Sequence, residues 1–411
     1  MIDLSAEEEQ KNQEENQKEN QIEKTEDSKK DGIETESVKK KDSEKKEPEK
    51  EKVVLPETQE NPKKAGKVVG RVFAILGVAV GMVLVGLLVI MFIMTHGPSS
   101  QVRDLFVLSV RESSAGGFLA DIYCSKETIA EIEAKNTIVE TEEVTDTSIV
   151  TIAAKEEVTP AEGNEPSYIV TTSFDTDVYV ENGIEFHKIA GNTFTGLMMI
   201  VADPSRVFIG TPYDSYDGGP GLDVPTIAGR YDAIAAINGA FFVDTNGVGD
   251  GGTPLGFVFS EGKQMWGGDN TTYNMMGFNE EGILICGKMT GSQAVEKGIR
   301  DGLSPEPFLV INGEGLNVAG SGGGLNPRTA LGQRADGAVL LLTVDGRQAS
   351  SLGATMSDMV DVMLAFGAVN AGNLDGGGST VCYYNKEVLN VVMSIYGTRG
   401  VPDAVCVRKV Q

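Results

Sequence analysis

The chain has 411 residues, a formal net charge of −25, four cysteines and two histidines. An anionic protein of this kind repels a phosphate backbone, which argues against nucleic acid as partner. None of the cysteines (Cys124, Cys286, Cys382, Cys406) sits in a CxxC or metal-ligand spacing. Cys382 and Cys406 lie in apolar runs and could either pair outside the cell or remain buried thiols.

Residues 1–71 are rich in Glu, Lys, Gln, Asn and Ser. Such a stretch buries too little apolar surface to offset the entropy of ordering, so it is expected to be a disordered tail. Val72 to Met94 follows without a single charged residue. As a helix it would extend about 34 Å, enough for a bilayer core of about 30 Å. Lys63, Lys64, Lys67 and Arg71 crowd its N-terminal flank, whereas His96, Gly97 and Pro98 follow it. That asymmetry predicts a single-pass cell-membrane anchor with the N-terminus cytoplasmic and the C-terminal part extracellular. Residues 97–164 are expected to form a membrane-proximal helical stalk and an acidic linker. A capping box starting at Thr128 is expected to open a short helix there.

From residue 165 onwards, short β-rich runs are punctuated by glycine: Gly196–Val201, Ala233–Ile237, Leu255–Ser260 and Ala338–Val344. One helix is plain, opened by Thr355 and Asp358. Its core face is expected to hold Met356, Met359, Val360, Met363 and Leu364. Residues 165–411 therefore read as an α+β domain with a mixed, largely antiparallel sheet and few helices.

Histidine chemistry has little to work with. His96 lies at the membrane edge, so a Ser-His-Asp or Cys-His nucleophile would have to use His187, and no GxSxG elbow is present. Two-histidine zinc sites are excluded. Gly282–Lys288 resembles a phosphate-binding loop, but Met289 stands where Ser or Thr would bind magnesium, so it reads as a strand ending in a turn. Catalysis would rest on carboxylates, arginines and backbone amides. These cluster at glycine-rich strand ends: Asn238-Gly239, Asn326-Pro327-Arg328, Asp345-Gly346-Arg347, Asn373-Leu374-Asp375-Gly376-Gly377-Gly378-Ser379-Thr380, and Arg399 to Asp403. Glycines after an aspartate let backbone approach a ligand and turn N–H groups towards an anion. Arginine offers a planar fork for phosphate oxygens. Each piece alone could be a plain turn; several within one domain point to a shared site.

The ordered series NGAFF, PLGFVFSEGK, NPRTALG, LLLTVDGR, NLDGGGST and RGVPDAVCV resembles the phosphodiester glycosidase family over roughly Tyr168 to Val410. The resemblance implies a hydrolase that cleaves the sugar C1–O bond of a sugar-1-phosphodiester, with a phosphate monoester leaving. Exopolysaccharide-related surface glycan is the implied context, and no cofactor is required. On that footing Asp375 is expected to be the carboxylate at the anomeric carbon, with Asp345 as second candidate. Arg328 and the N–H groups from Gly376, Gly377 and Gly378 to Ser379 would hold the phosphate, Thr380 closing the loop. Arg347 or Arg399 would be a second fork, and Asn238 and Asn373 would orient sugar hydroxyls. Retention or inversion depends on the carboxyl separation. Asp244, Asn246 and Asp250 alternate as oxygen donors for a calcium option, but no bidentate Glu follows them, so a polar loop is the simpler reading. Two rival readings remain open: a non-catalytic glycan-binding or scaffold module of a polysaccharide assembly system, and a phosphodiesterase cutting P–O.

Overall fold

The computed structural model describes residues 62–113, 116–152, 172–245, 249–394 and 397–410. The expected tail and the centre of the expected linker lie outside them. The chain divides into two units, residues 1–73 and 74–411. The first is described only over Pro62–Phe73, a stretch of helix α1 (Pro62–His96). Arg71–His96 within α1 is long and apolar enough to cross a membrane, as the charge-free run from Val72 requires.

Three short helices follow: α2 (Ser100–Arg111), α3 (Phe118–Tyr123) and α4 (Lys126–Lys135). They share a small core of Val107, Leu108, Ala120, Ile129 and Ile132. Ser99 and Ser125 cap α2 and α4, accepting from the Val102 and Thr128 amides. The cap is therefore Ser125 and not Thr128, because the serine oxygen lies where the first free N–H groups point. This segment bonds directly to later residues. Leu325 N–H donates to Ser109 Oγ (2.8 Å), Ala319 N–H to the Thr137 carbonyl (2.9 Å) and Cys286 N–H to Thr145 Oγ1 (2.8 Å). Residues expected to be stalk and linker thus lie against the domain from Ser109 to Thr145.

The strands run in chain order as β1 (Asp175–Glu181), β2 (Ile184–Ala190), β3 (Thr195–Val201), β4 (Val207–Gly210) and β5 (Ala235–Asn238). Helix α5 (Val224–Arg230) separates the last two. Then come β6 (Val258–Ser260), β7 (Lys263–Trp266), β8 (Thr272–Asn279), β9 (Leu284–Thr290) and helix α6 (Gly291–Glu296). The glycine-bearing run Gly282–Lys288 is thus turn and strand, as its apolar filling requires. The remainder is β10 (Ile299–Leu303), β11 (Phe308–Ile311), β12 (Glu314–Gly315), β13 (Arg328–Arg334), β14 (Val339–Val344), helix α7 (Met356–Ala365), β15 (Ala368–Leu374), β16 (Cys382–Tyr384), β17 (Glu387–Val388) and β18 (Ala404–Val407). An eight-stranded sheet has the order β1-β2-β3-β14-β13-β15-β11-β12. Two five-stranded sheets have the orders β7-β6-β10-β8-β9 and β17-β16-β5-β18-β4. The described neighbours pair antiparallel, so the domain is α+β with antiparallel sheets.

One core lies among the three sheets, built from Phe186, Met199, Leu341, Ile237, Val405, Met276 and Phe278. A second fills the other face of the large sheet beneath α7, with Leu340, Leu342, Ala330, Met359 and Met363. Strand β14 is therefore buried on both faces, which is why its sequence is continuously apolar and does not alternate. Thr355 and Asp358 form the expected capping box of α7. Met359 and Met363 are fully buried, whereas Leu364 is 38% exposed and leaves the predicted core face.

All four cysteines are free thiols. Cys382 on β16 and Cys406 on β18 flank β5, opposite Ile237 and Ala236. Two strand spacings, roughly 9–10 Å, separate them, beyond the Cα span of about 7 Å that a disulfide can bridge.

Leu341 is fully buried at the centre of β14. Leu341→Ala is expected to destabilise the folded chain by about 3–5 kcal/mol, as measured by denaturant unfolding. A loss below about 1 kcal/mol would show that the site collapses freely.

Candidate active site

The site forms where strand ends of two sheets meet. Thr329 pairs with Leu374 across β13 and β15, so Arg328 at the start of one strand faces Asp375 just beyond the other. Arg328 also pairs with Val344 at the end of β14, which brings the turn Asp345-Gly346-Arg347 alongside. From the smaller sheet, β5 delivers Asn238, whose Nδ2 donates to the Asp375 carbonyl (2.6 Å). A cavity of about 300 Å³ lies among these ends. Its polar walls are Glu112, Asp244, Glu306, Asn326, Arg328, Arg347, Asp375, Ser379 and Arg399.

The glycine run is shaped by crowding. A Cβ on Gly376 would lie 2.6 Å from the Pro327 carbonyl oxygen, and Gly377 has a left-handed backbone with φ +60°. The amides expected to form an anion nest are mostly engaged. Gly376 N–H donates to Asp375 Oδ1 (2.9 Å), Gly377 N–H to the Pro327 carbonyl (2.9 Å) and Ser379 N–H to the Gly376 carbonyl (3.1 Å). Gly378 N–H alone of the four keeps no such bond among the described residues.

Three guanidinium groups line the cavity. Arg328 is 7% exposed. Its Nη2 donates to Glu112 Oε2 (2.6 Å) and to the Gly324 carbonyl (2.9 Å), and its Nε to the Ala354 carbonyl (3.3 Å). Glu112, just beyond α2, also accepts from Asn326 Nδ2 and Gly324 N–H, both at 2.8 Å. Arg347, at φ +55°, donates from Nε and Nη2 to Asn326 Oδ1 at 3.2 and 2.8 Å. A non-glycine residue in that region is uncommon and accompanies functional geometry more often than chance. Desolvation first, and the Arg328 guanidinium second, lower the Arg347 pKa, while Glu112 raises it. Among the described residues, the Nη1 groups of both arginines carry no hydrogen bond. Two cations with one carboxylate between them leave room for a second anion.

Arg399 is committed elsewhere. It donates to Asp244 Oδ2 (3.0 Å) and the Gly249 carbonyl (2.9 Å), and it stacks over the Phe242 ring at 4.7 Å. Its charge still reaches Asp375, whose carboxyl is pushed up to about 6. Desolvation raises it; the neighbouring Ser379 hydroxyl, the Gly376 N–H and Arg399 pull the other way, and Asp244 raises it slightly. A second acid, Asp403, is fully buried behind the site. Its Oδ1 accepts from Ala240 N–H (2.8 Å), and Oδ2 has no partner. Burial, helped by Asp375, pushes it up to about 7.

Several expected site residues turn out to hold backbone. Asn238 is fully buried, and its Oδ1 accepts from Thr329 Oγ1 (2.8 Å) and Val381 N–H (3.2 Å). Asn373 is 1% exposed and donates to the Glu306 carbonyl (2.8 Å). Neither lines the cavity, and neither does Thr380. Asp345 also lies outside it: its Oδ1 accepts from Val391 N–H (3.1 Å), and burial raises its pKa. His187 is buried on β2 against Asp175 (2.9 Å), far along the large sheet from these strand ends. For the calcium option, Asp244 is engaged by Arg399 and by Gly249 N–H (2.7 Å), and Asp250 Oδ1 accepts from Gly252 N–H (2.9 Å). Asn246 lies outside the described residues. Residues absent from the expected set are Glu112, Glu306, Asn326 and Phe241. Asn326 and Phe241 sat in the NPRTALG and NGAFF pieces; Glu112 had no local signal, being some 200 residues away in sequence from its partners.

A Bacillus subtilis (strain 168) prophage-derived protein, YomE, is 45% identical over 65 residues, which is 16% of this chain and 10% of that protein. The chain thus spans about a tenth of that relative's length. Among solved structures, the zebrafish N-acetylglucosamine-1-phosphodiester alpha-N-acetylglucosaminidase catalytic domain, auto-inhibited by its pro-peptide, is 22% identical. The match covers 55% of this chain and 82% of that one, with a TM-score of 0.46. A hypothetical protein from Synechocystis is 17% identical over 55% of this chain and 62% of that one, with a TM-score of 0.44. Residues 231–408, which hold Arg328, Arg347, Asp375, Arg399 and Asp403, match the family model described as phosphodiester glycosidase.

Proposed function

We propose that this domain hydrolyses the C1–O bond of a sugar-1-phosphodiester in a surface or exopolysaccharide-related glycan. In the same reading, α1 anchors it as a single-pass protein and the domain works outside the cell, since the lysines and arginine before Val72 favour a cytoplasmic N-terminus. The observation that carries the reading is a carboxylate and two guanidiniums in one cavity within the family-matched residues: Asp375, Arg328 and Arg347.

The phosphate sits between the Nη1 groups of Arg328 and Arg347, with Gly378 in the same wall. As the C1–O bond breaks, its electron pair goes to the phosphate, whose growing charge the guanidiniums stabilise. Phosphate is a good leaving group, so general-acid help matters less than in ordinary glycosidases. Asp375 faces the oxocarbenium-like carbon, either attacking it or taking a proton from the water that does. The water oxygen ends on C1, and the phosphate monoester departs.

Asp375 must be ionised for either role. Because its folded pKa stands near 6, kcat/KM is expected to rise with pH through about 6, roughly two units above an ordinary aspartate. Hydrolysis of an N-acetylglucosamine-1-phosphodiester in oxygen-18 water is the direct test. Label in the free sugar, with activity falling about 10³-fold in Asp375→Asn, supports the reading. Label in the phosphate would mean P–O cleavage, and saturable binding without turnover a binding module.

Arg347→Ala is expected to lower kcat/KM about 10²-fold. An unchanged value would move the phosphate away from Arg347.

Asp403 gives a stability prediction. Its folded pKa lies above its unfolded value, so the native state holds a proton that the unfolded chain releases. Stability from this group is full at low pH and is lost as pH rises from about 4 to about 7. Asp403→Asn should flatten the fall in Tm between about pH 4 and pH 7. The same slope in both proteins would remove Asp403 as its source.

A further inference from the structure

The short helices between α1 and the first strand carry an apolar face that the proposed chemistry does not use. Helix α2 begins only three residues past His96. The joint is tight: Gly97 N–H donates to the Ile93 carbonyl (2.8 Å), Pro98 follows, and Ser99 caps α2. Stretched to its limit, it places the start of α2 no more than about 15 Å from the end of α1. Arg71–His96 has 26 residues. As a helix that is about 39 Å, close to the roughly 40–45 Å of a bilayer with its headgroups. With α1 spanning the membrane, His96 stands at the lipid surface and α2 starts beside it.

Helix α3 folds back along α2. Cys124, just past α3, packs with Phe106 and Val110 of α2, and the charges of Arg103 and Asp104 act on its thiol. The end of α3 therefore returns towards the membrane end of α2. Ala120 turns inward and is fully buried. Phe118 and Ile122 are four residues apart, so they share one face of α3, and they turn outward, 60% and 62% exposed. Among the described residues the other exposed phenylalanines, Phe73 and Phe92, both belong to α1.

The charges nearby leave this face to an apolar partner. Every ionised side chain of α2, α3 and the turn between them, over the described residues, is already paired. Arg103 meets Asp104 (2.8 Å), Arg111 meets Asp121 (3.8 Å) and Glu133 (3.2 Å), and Glu112 meets Arg328 (2.6 Å). A charged peptide would find no free partner here. The bilayer, by contrast, is held within reach by the joint itself. A helix with an apolar face settles about 5–10 Å into the boundary between headgroups and acyl chains, a depth that a joint of this length allows.

The far end of α2 carries Glu112, which lines the reaction cavity. Helix α2 is about 18 Å long, so Glu112 stands no more than about 33 Å from the end of α1. We infer that α3 rests on the lipid surface through Phe118 and Ile122, and that α2 thereby holds the reaction cavity beside phosphodiesters carried by the same membrane. This rests on the proposed anchoring and hydrolysis, and the test separates it from both.

The experiment uses the full chain reconstituted in phosphatidylcholine vesicles, with flotation as the check on the anchor. Trp266→Phe removes the chain's single tryptophan. In that background Phe118→Trp and Ile122→Trp each place a fluorophore on the face, and Val295→Trp, at a 61% exposed position on α6, serves as reference. Lipids brominated on their acyl chains should quench the first two by about half or more and spare the third, with aqueous iodide giving the reverse order. Floating protein in which iodide quenches all three, and brominated lipid none, would overturn the inference. Protection of Phe118→Trp and Ile122→Trp from both quenchers would overturn it in favour of a protein partner. For turnover, an N-acetylglucosamine-1-phosphodiester carried on a lipid of the same vesicles should be favoured over its soluble methyl ester by about tenfold or more in kcat/KM. The double variant Phe118→Asp/Ile122→Asp should shrink that preference and leave hydrolysis of the soluble ester unchanged. An equal preference in both proteins would overturn the hold on the cavity. Absence of hydrolysis of either ester would defeat the hydrolytic reading alone, because quenching is read without turnover.

Discussion

A buried guanidinium sets the terms for this site. Arg328 opens a central strand of the large sheet, between β14 and β15, and it is 7% exposed. A charge placed there is costly unless it is paired and hydrogen-bonded. Glu112 provides the pairing, and it comes from the segment that follows the membrane-length helix. The same carboxylate takes Asn326 Nδ2 and Gly324 N–H, and Asn326 Oδ1 in turn accepts from Arg347. One ion pair therefore orders both arginines and ties α2 to the reaction cavity. Gly323 and Gly324 make room for it: a Cβ at the first would lie 2.5 Å from Glu112 Oε1, and at the second 2.2 Å from Ser109 N.

The two raised acids, one in the cavity wall and one buried, differ in access more than in pKa. Asp375 and Asp403 are both pushed up chiefly by desolvation. Asp375 lines the cavity and is flanked by a hydroxyl, an amide and a guanidinium that favour its ionised form. Asp403 has one amide partner and an orphan oxygen, and it faces packed backbone at Gly239, where a Cβ would lie 1.7 Å from its Oδ1. Its proximity to Asp375 penalises a second negative charge. The pair thus separates into a group that can ionise towards substrate and one that holds a proton in the fold.

Much of the architecture could be read from residues alone, for identifiable reasons. Strand β14 announces itself by an unbroken apolar run buried on both faces, and helix α7 by an apolar stripe that follows its capping box. That Asp375, Arg328 and Arg347 would share one cavity was legible because several charged residues at glycine-rich strand ends of one domain point to a common place. Asn238 and Asn373 misled for a related reason: an amide at a strand end satisfies orphan backbone groups as readily as sugar hydroxyls. The expected amide nest failed at a finer level. Glycine after aspartate permits a nest, but Pro327 and the 3₁₀ turn at Gly377–Ser379 consumed the N–H groups. Glu112 was invisible because nothing local marks a carboxylate whose partners lie in another part of the chain. Asp403 was in view in the sequence, and only its burial between β5 and β18 distinguishes it from a turn residue.

The distribution of charge bears on how such a site would gather its substrate. A protein with a formal charge of −25 offers an anionic phosphodiester no long-range attraction. Screening confines the repulsion to about 8–10 Å at ordinary salt, so the cationic pair acts only once the phosphate is inside the cleft. Much of the pull of Arg328 is moreover already neutralised by Glu112. Affinity must then come from surfaces that do not sense charge, and the cleft has one beside the arginines in the apolar wall at Trp266 and Tyr273. In the proposed hydrolysis the guanidiniums would then be left to act on charge that develops as the C1–O bond breaks, which is where stabilisation accelerates a reaction.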